Sequence, residues 1–134
     1  MTEEEIRAFK NTLRNYNFFK KEIDRLEKEI EYLYSIMGGS TAINYDGMRY
    51  AQKPGQFFVK MEKKDRLEYK KNSYEATITM CDNVLSKVSN KIRNCLIEIY
   101  INGSSFEKIA KKNDYSSSGL YSRIVNELKG VDND

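Results

Sequence analysis

The sequence predicts an all-α protein in which a long N-terminal helical hairpin or coiled-coil arm precedes a C-terminal module of three short helices. Apolar residues recur at intervals of three and four along most of the 134 residues, as on one face of a helix. The single proline, Pro54, leaves long helices uninterrupted. Glycine and serine stand where the apolar periodicity stops, which indicates helix ends and caps.

The first 37 residues are predicted to form one long helix. Thr2 and Glu5 have the spacing of a capping box, and Gly38-Gly39 ends the helix. The apolar seam steps by three and four, with a doubled step of three around Tyr16. Its members are Ile6, Phe9, Leu13, Tyr16, Phe19, Ile23, Leu26, Ile30, Leu33 and Met37. A seam of this length needs a partner helix.

Two partners are compatible with the seam. A second helix from about Met61 to Lys87 can fold back on the first as an antiparallel hairpin. Alternatively, a second copy of the chain can pair with the N-terminal helix as a homodimer. Residues 1–88 thus form the predicted arm, with a loop at about 38–58. Aromatic and basic residues of this loop could stack on nucleic-acid bases, although such rings more often pack onto adjacent helices.

Residues 89–129 are predicted to form three helices, followed by an acidic tail at 130–134. Gly103 ends the first helix, and either Ser105 or a capping box of Ser104 with Glu107 starts the second. A turn at Asn113-Asp114 precedes the third helix, which Ser116 caps. The residues expected to face inward are Ile92, Leu96 and Ile99 in the first helix, Phe106, Ile109 and Ala110 in the second, and Leu120, Ile124 and Leu128 in the third.

The outward side of the third helix has the chemistry of a DNA recognition helix. Hydroxyl groups serve base-edge donors and acceptors, and arginine grips guanine with two hydrogen bonds. The predicted base-reading residues are Ser117, Ser118, Tyr121, Ser122 and Arg123. The predicted phosphate contacts are Lys91, Arg93, Lys108, Lys111, Lys112 and Ser116. Gly119 in the first turn suggests close approach to a neighbouring helix or to DNA.

Four segments carry a resemblance to a known family: Tyr100-Ile101-Asn102-Gly103, residues 105–110, Tyr115-Ser116 and residues 120–124. Together they resemble the region-4 helix-turn-helix of sigma factors, most closely the version in small phage late-promoter-activating regulators of the ArpU/RinA-like type. The resemblance covers roughly the last 40 residues in detail. It implies that the third helix binds double-stranded promoter DNA and that the protein activates transcription with RNA polymerase holoenzyme.

Composition argues against catalysis and against a membrane protein. The chain has no histidine, no glycine-rich phosphate loop and no acidic triad, so we expect no enzyme, no catalytic residues, no cofactor and no metal. Cys81 and Cys95 fall on apolar stripes and are expected to be buried free thiols. The N-terminal MTEEEIRAFK is unlike a secretory signal, and no apolar run approaches the roughly 20 residues of a membrane span. We therefore expect a cytoplasmic location.

Two functions follow from these observations. The first is a sequence-specific DNA-binding transcriptional regulator, a phage-type activator of late genes that acts with host RNA polymerase. The alternative is a non-enzymatic helical adaptor or packaging-type oligomer whose C-terminal bundle binds protein. The order of arm and module along the chain favours the regulator, by analogy of layout. Seven Lys or Arg against four Asp or Glu in residues 89–129 give this module only modest positive charge.

Overall fold

The computed structural model describes residues 1–42 and 54–132, with side chains from 1–37 and 57–132. The helices of these ranges are α1 (Glu3–Arg14), α2 (Tyr16–Ala42), α3 (Pro54–Ser86), α4 (Asn90–Leu96), which continues into a π-helical turn (Ile97–Ile101), α5 (Phe106–Lys112) and α6 (Ser117–Lys129). No strand occurs in the two described ranges, so the all-α class is confirmed.

The N-terminal region is two helices, and the prediction of one continuous helix was wrong. Asn15 separates α1 from α2, with its backbone N–H donating to the carbonyl of Thr12 at 3.0 Å. Its side-chain amide donates to the carbonyl of Asn11 at 3.0 Å. The break falls where the apolar seam takes its doubled step of three. In an uninterrupted helix, the apolar seam would shift around the helix axis at this point. The break allows the apolar faces of α1 and α2 to be oriented independently.

The predicted loop at about 38–58 is helical at both described ends. Helix α2 continues past Gly38-Gly39 to Ala42, and α3 begins at Pro54 instead of about Met61. Proline is well suited to this first helical position, since its missing N–H would have no partner within the helix. Residues 43–53, which include Tyr45 and Tyr50, lie outside the described residues.

The chain forms two compact units whose boundaries differ from the predicted division at residue 88. The terminal unit comprises Met1–Phe19 and Thr77–Asp134, and the central unit comprises Lys20–Ala76. Helix α1 and the last part of α3 therefore belong with the C-terminal helices. The physical reason is that the apolar stripe of α1 is buried there and not in the predicted arm.

The core of the terminal unit unites α1 with α4, α5 and α6. Ile6, Phe9 and Leu13 of α1 are each at most 4% exposed, and α1 packs against both the π-helical turn and α6. The C-terminal helices bury Ile92, Cys95, Leu96, Tyr100, Ile109, Ala110, Leu120, Ile124 and Leu128 in the same cluster. Most of the predicted inward residues are thus buried, while Ile99 and Phe106 are partly buried at the edge of the cluster.

Local signals set the ends of these helices largely as predicted. The capping box of Thr2 and Glu5 is present in full. Ser105, rather than the box of Ser104 with Glu107, caps α5, and its hydroxyl accepts from the N–H of Lys108. The two turns of the C-terminal region use left-handed backbone, at Gly103 with φ +74° and at Asp114 with φ +63°. Asp tolerates this conformation better than most non-glycine residues.

The central unit pairs the later part of α2 with the earlier part of α3. Leu26, Leu33 and Met37 are buried. Ion pairs between described side chains join the helices, including Lys63 to Glu29 at 3.7 Å and Lys71 to Glu27 at 3.3 Å. Among the helices described, none is long and apolar enough to cross a lipid bilayer.

Candidate nucleic-acid interface

Helix α6 is held by its apolar side, which determines the face that it exposes. Leu120, Ile124 and Leu128 are 0% exposed, and α6 packs against α1, α4 and α5. At its start, the Ser116 hydroxyl accepts a hydrogen bond from the N–H of Gly119 at 3.0 Å, as the sequence predicts. The buried stripe and the cap together fix which side chains of α6 reach solvent.

All of the predicted base-reading residues lie on the exposed part of α6, namely Ser117, Ser118, Tyr121, Ser122 and Arg123. Tyr121 is 55% exposed, and the Lys10 ammonium of α1 lies 4.7 Å from the centroid of its ring. Arg123 Nε donates to Glu127 Oε2 at 3.2 Å. The exposed surface is therefore polar and nearly neutral, with its one arginine already paired.

Asn126 belongs to the same surface and was missed in the sequence analysis. It is exposed and follows Ser118 and Ser122 at steps of four residues, so all three lie along one line of the helix. A side-chain amide can form two hydrogen bonds with adenine in the major groove. The step of four residues from Ser122 was the signal that could have identified it.

Gly119 has a different structural reason from the one predicted. A Cβ atom at this position would lie 2.9 Å from the Ser116 hydroxyl oxygen. Within the described ranges, no atom of a neighbouring helix would lie within 4 Å of it. Close approach to a neighbouring helix is thus wrong as an explanation. The glycine leaves room for the capping hydroxyl instead. Close approach to DNA stays a prediction.

Glu127 ties α6 to the start of α4 and positions Arg123. Its carboxylate accepts from the backbone N–H of Ser89 at 2.8 Å and from the Ser89 hydroxyl at 3.0 Å. Partial burial by itself would raise the pKa of Glu127, but the hydrogen bonds from Ser89 and Arg123 outweigh it and lower that pKa. A charged Glu127 therefore fixes both the helix and the direction of the guanidinium.

The four lysines of the predicted phosphate set lie on the surface around α5 and the turn that leads to α6. Lys108 and Lys111 are exposed and form no ion pair within the described chain. Lys91 Nζ lies 4.6 Å from the centroid of the Tyr115 ring. Lys112 Nζ lies 3.5 Å from Glu98 Oε1 in an exposed ion pair, which costs little to break.

Arg93 and Ser116, the other two members of that set, have structural roles. The Arg93 guanidinium donates to the carbonyl of Leu85 at 2.7 Å, of Val88 at 3.3 Å and of Ser86 at 3.4 Å. It thereby satisfies carbonyl groups that the end of α3 leaves without helical partners. The Ser116 hydroxyl is occupied by the cap of α6. Both are therefore less available to phosphate than the lysines.

The two thiols are buried, as the sequence predicts, and they are free. Cys81 is 0% exposed and Cys95 is 1% exposed. Burial raises the pKa of the Cys81 thiol to about 11 and also raises that of Cys95. The reactive thiolate form is thus disfavoured at neutral pH. Across the described ranges, no group of three or more Cys, Asp or Glu side chains could hold a metal ion.

Comparison of the chain with models of protein families, with curated proteins and with solved structures found no match.

Proposed function

We propose that the protein is a sequence-specific DNA-binding transcriptional regulator in which α4, α5 and α6 form a helix-turn-helix. The observation that carries the proposal is the arrangement of α6. One side of this helix is buried in the core, while Ser118, Ser122 and Asn126 lie on the opposite side. Small polar side chains let the helix backbone come close to base edges in a major groove about 12 Å wide. Tyr121 and Arg123 flank this line and extend the readout.

Lys91, Lys108, Lys111 and Lys112 supply the phosphate contacts in this proposal. Each neutralised phosphate releases counterions, so such contacts provide affinity without sequence information. The module has only three more basic than acidic residues in 89–129, so we infer that it binds weakly alone. Help from a second copy of the chain or from RNA polymerase holoenzyme would raise the effective affinity. Action with RNA polymerase is also what the resemblance of the C-terminal segment to phage late-gene activators implies.

Selection of duplexes from a random pool by the purified protein tests the proposal. We expect enrichment of one sequence motif. Replacing Tyr121 and Arg123 together with alanine should abolish binding to the enriched site but leave helicity intact, because both side chains are largely exposed. The matched control replaces Tyr32 and Arg66 of the central unit and should bind normally. A pool without enrichment, or a Tyr121 and Arg123 double variant that binds as well as the unaltered protein, would reject α6 as the reader.

A reconstituted transcription reaction tests the part played by polymerase. The C-terminal segment resembles only one module of a sigma factor, so we expect an accessory activator of holoenzyme. Transcript from a promoter that carries the selected site should increase when this protein and holoenzyme are both present. Initiation by core polymerase with this protein alone would show a true sigma factor instead.

A second candidate function, a helical adaptor or oligomer, is favoured by the surface of the central unit. Its exposed large apolar side chains are Tyr32, Tyr34, Phe58, Val59, Met61 and Tyr69, and Tyr69 is 80% exposed. Several exposed large apolar side chains on one unit are typical of a protein–protein interface. Light scattering tests whether this surface forms a homodimer. A mass of 15.7 kDa, that of one chain, would reject the homodimer, whereas twice that mass would support it.

A further inference from the structure

A row of three cations on α1 lies beside the exposed face of α6. Arg7, Lys10 and Arg14 follow each other at steps of three and four residues, so they share one side of the helix. Arg7 and Lys10 line a cleft together with Tyr121. The Lys10 ammonium is 4.7 Å from the Tyr121 ring centroid, and the Arg14 guanidinium is 5.2 Å from that of Tyr100. From the sequence, these residues were expected to lie on the predicted arm.

The positive charge of this row has no carboxylate partner among the residues that the structure describes. Within the described ranges, none of the three cations forms an ion pair; Arg14 instead donates to the neutral amide of Asn11 at 2.9 Å. Glu3, at one end of the cleft, lies 3.9 Å from Lys129. Cations of the central unit behave differently, since many of them have carboxylate partners: Arg25, Lys63, Lys64 and Lys71.

The surroundings of Lys10 make this charge costly in the free protein. Burial lowers the pKa of its ammonium, and the positive charge of Arg14 lowers it further. The Lys10 ammonium also lies 4.7 Å from the centroid of the Tyr121 ring and 5.8 Å from that of Tyr100, and such rings attract a cation. A bound anion would remove the repulsion between the two cations. The row therefore has the properties of a site for a polyanion.

We propose that Arg7, Lys10 and Arg14 bind the phosphate backbone at the edge of the groove that α6 enters. This inference rests on the proposed function. Packed helices lie about 8–10 Å apart, whereas the major groove is about 12 Å wide. A helix packed beside the one that reads the bases therefore reaches the rim of the groove, where the phosphates lie. Helix α1 thus adds contacts that do not depend on sequence.

Salt dependence of duplex binding tests this assignment. Each phosphate contact contributes roughly 0.9 to the slope of log K against log salt, so neutralising all three cations should reduce the slope by up to about 2.7. Affinity for the selected site and for random duplex should fall equally. A charge-conserving triple should keep the slope, and an equal loss of charge on the central unit should leave it near the starting value. These three variants are R7Q/K10Q/R14Q, R7K/K10R/R14K and K21Q/K28Q/R66Q.

Circular dichroism of each variant checks that the helix content of the chain is retained. A Lys111→Ala variant measures one contact of the lysine set proposed above. If Lys111→Ala reduces the slope but R7Q/K10Q/R14Q does not, the row on α1 is rejected while the proposed function stands. An equal loss in K21Q/K28Q/R66Q means that net charge alone acts, which also rejects the row. If the unaltered protein binds no duplex, the proposed function and this inference both fall.

Discussion

Leu13 of α1 is buried in the core of the terminal unit, so Leu13→Ala tests directly whether α1 packs there. Leu13 is 0% exposed and lies in the same cluster as Cys81 and Cys95. Leu-to-Ala changes in cores cost about 2–5 kcal/mol. Because Leu13 is one turn or less from the break at Asn15, where the backbone can relax, we expect the lower part of this range, about 2–3 kcal/mol.

Thiol labelling measures this cost at the place where it arises. The chain contains two cysteines, and both are buried in the terminal unit, so a thiol reagent reacts only when that unit opens. When opening is fast relative to labelling, the rate follows the opening equilibrium. A cost of 2–3 kcal/mol then accelerates labelling roughly 30- to 150-fold, since about 1.4 kcal/mol corresponds to tenfold.

Leu26→Ala is the matched control, because Leu26 is also 0% exposed but lies in the central unit. We expect it to lower the urea midpoint of the central unit and to change cysteine labelling much less. Unchanged labelling in Leu13→Ala would refute the burial of α1 against the C-terminal helices. Equal acceleration by both changes would refute the division into two units.

Three other features of the terminal unit can each be tested separately: the Arg93 hydrogen bonds, the left-handed turns and the Tyr16 hydrogen bond. Arg93→Ala should destabilise the terminal unit by about 1.5–3 kcal/mol, the usual size for hydrogen bonds from a charged group, without changing the salt slope of duplex binding. Gly103→Ala should cost about 1–2 kcal/mol through its left-handed backbone alone, since its Cβ would meet nothing within 4 Å, whereas Asp114→Gly should stabilise. Burial and the hydrogen bond to Asp82 raise the pKa of Tyr16 from 10.0 to about 12. The protonated Tyr16 hydroxyl therefore contributes its full stabilisation of the folded state below about pH 10, and this contribution is lost as pH rises toward 12.

Each of these expectations has a measurement that can contradict it. A reduced salt slope in Arg93→Ala, with unchanged urea stability, would return this residue to the phosphate set. Thermal midpoints that move the same way in Gly103→Ala and Asp114→Gly would contradict the turn geometry. For Tyr16, an alkaline absorbance titration of Tyr16→Phe should lose one phenol that ionises near pH 12; loss of a phenol near pH 10 would refute the hydrogen bond.

Local features of the fold were predictable, whereas the partners of each helix were not. Capping needs only a hydroxyl or a glycine at the right step, so Ser116 and Gly103 could be assigned from sequence. The stripe of α1 indicated that Phe9 would be buried but carried no information about what would cover it. The doubled step at Tyr16 marked the break, yet it is equally compatible with a distorted continuous helix.

The candidate site was predictable in its chemistry and less so in its contacts. Exposure of the polar side of α6 followed from the buried stripe at Leu120 and Ile124. A basic residue near a helix end can meet a phosphate or a backbone carbonyl, and sequence spacing does not distinguish these for Arg93. Likewise, the closeness of Lys10 to Tyr121 depends on packing between residues more than 100 positions apart.

The division of the chain into units has a consequence for the order in which it folds. The central unit is one continuous stretch, whereas the terminal unit needs Met1–Phe19 together with residues that follow Thr77. During synthesis at about 5–20 residues per second, the central unit can form as soon as it emerges, while the apolar stripe of α1 waits for α6 for several seconds. We expect the packing of α1 against the C-terminal helices to be the last step of folding. That closing step is slow because it brings together residues far apart in sequence.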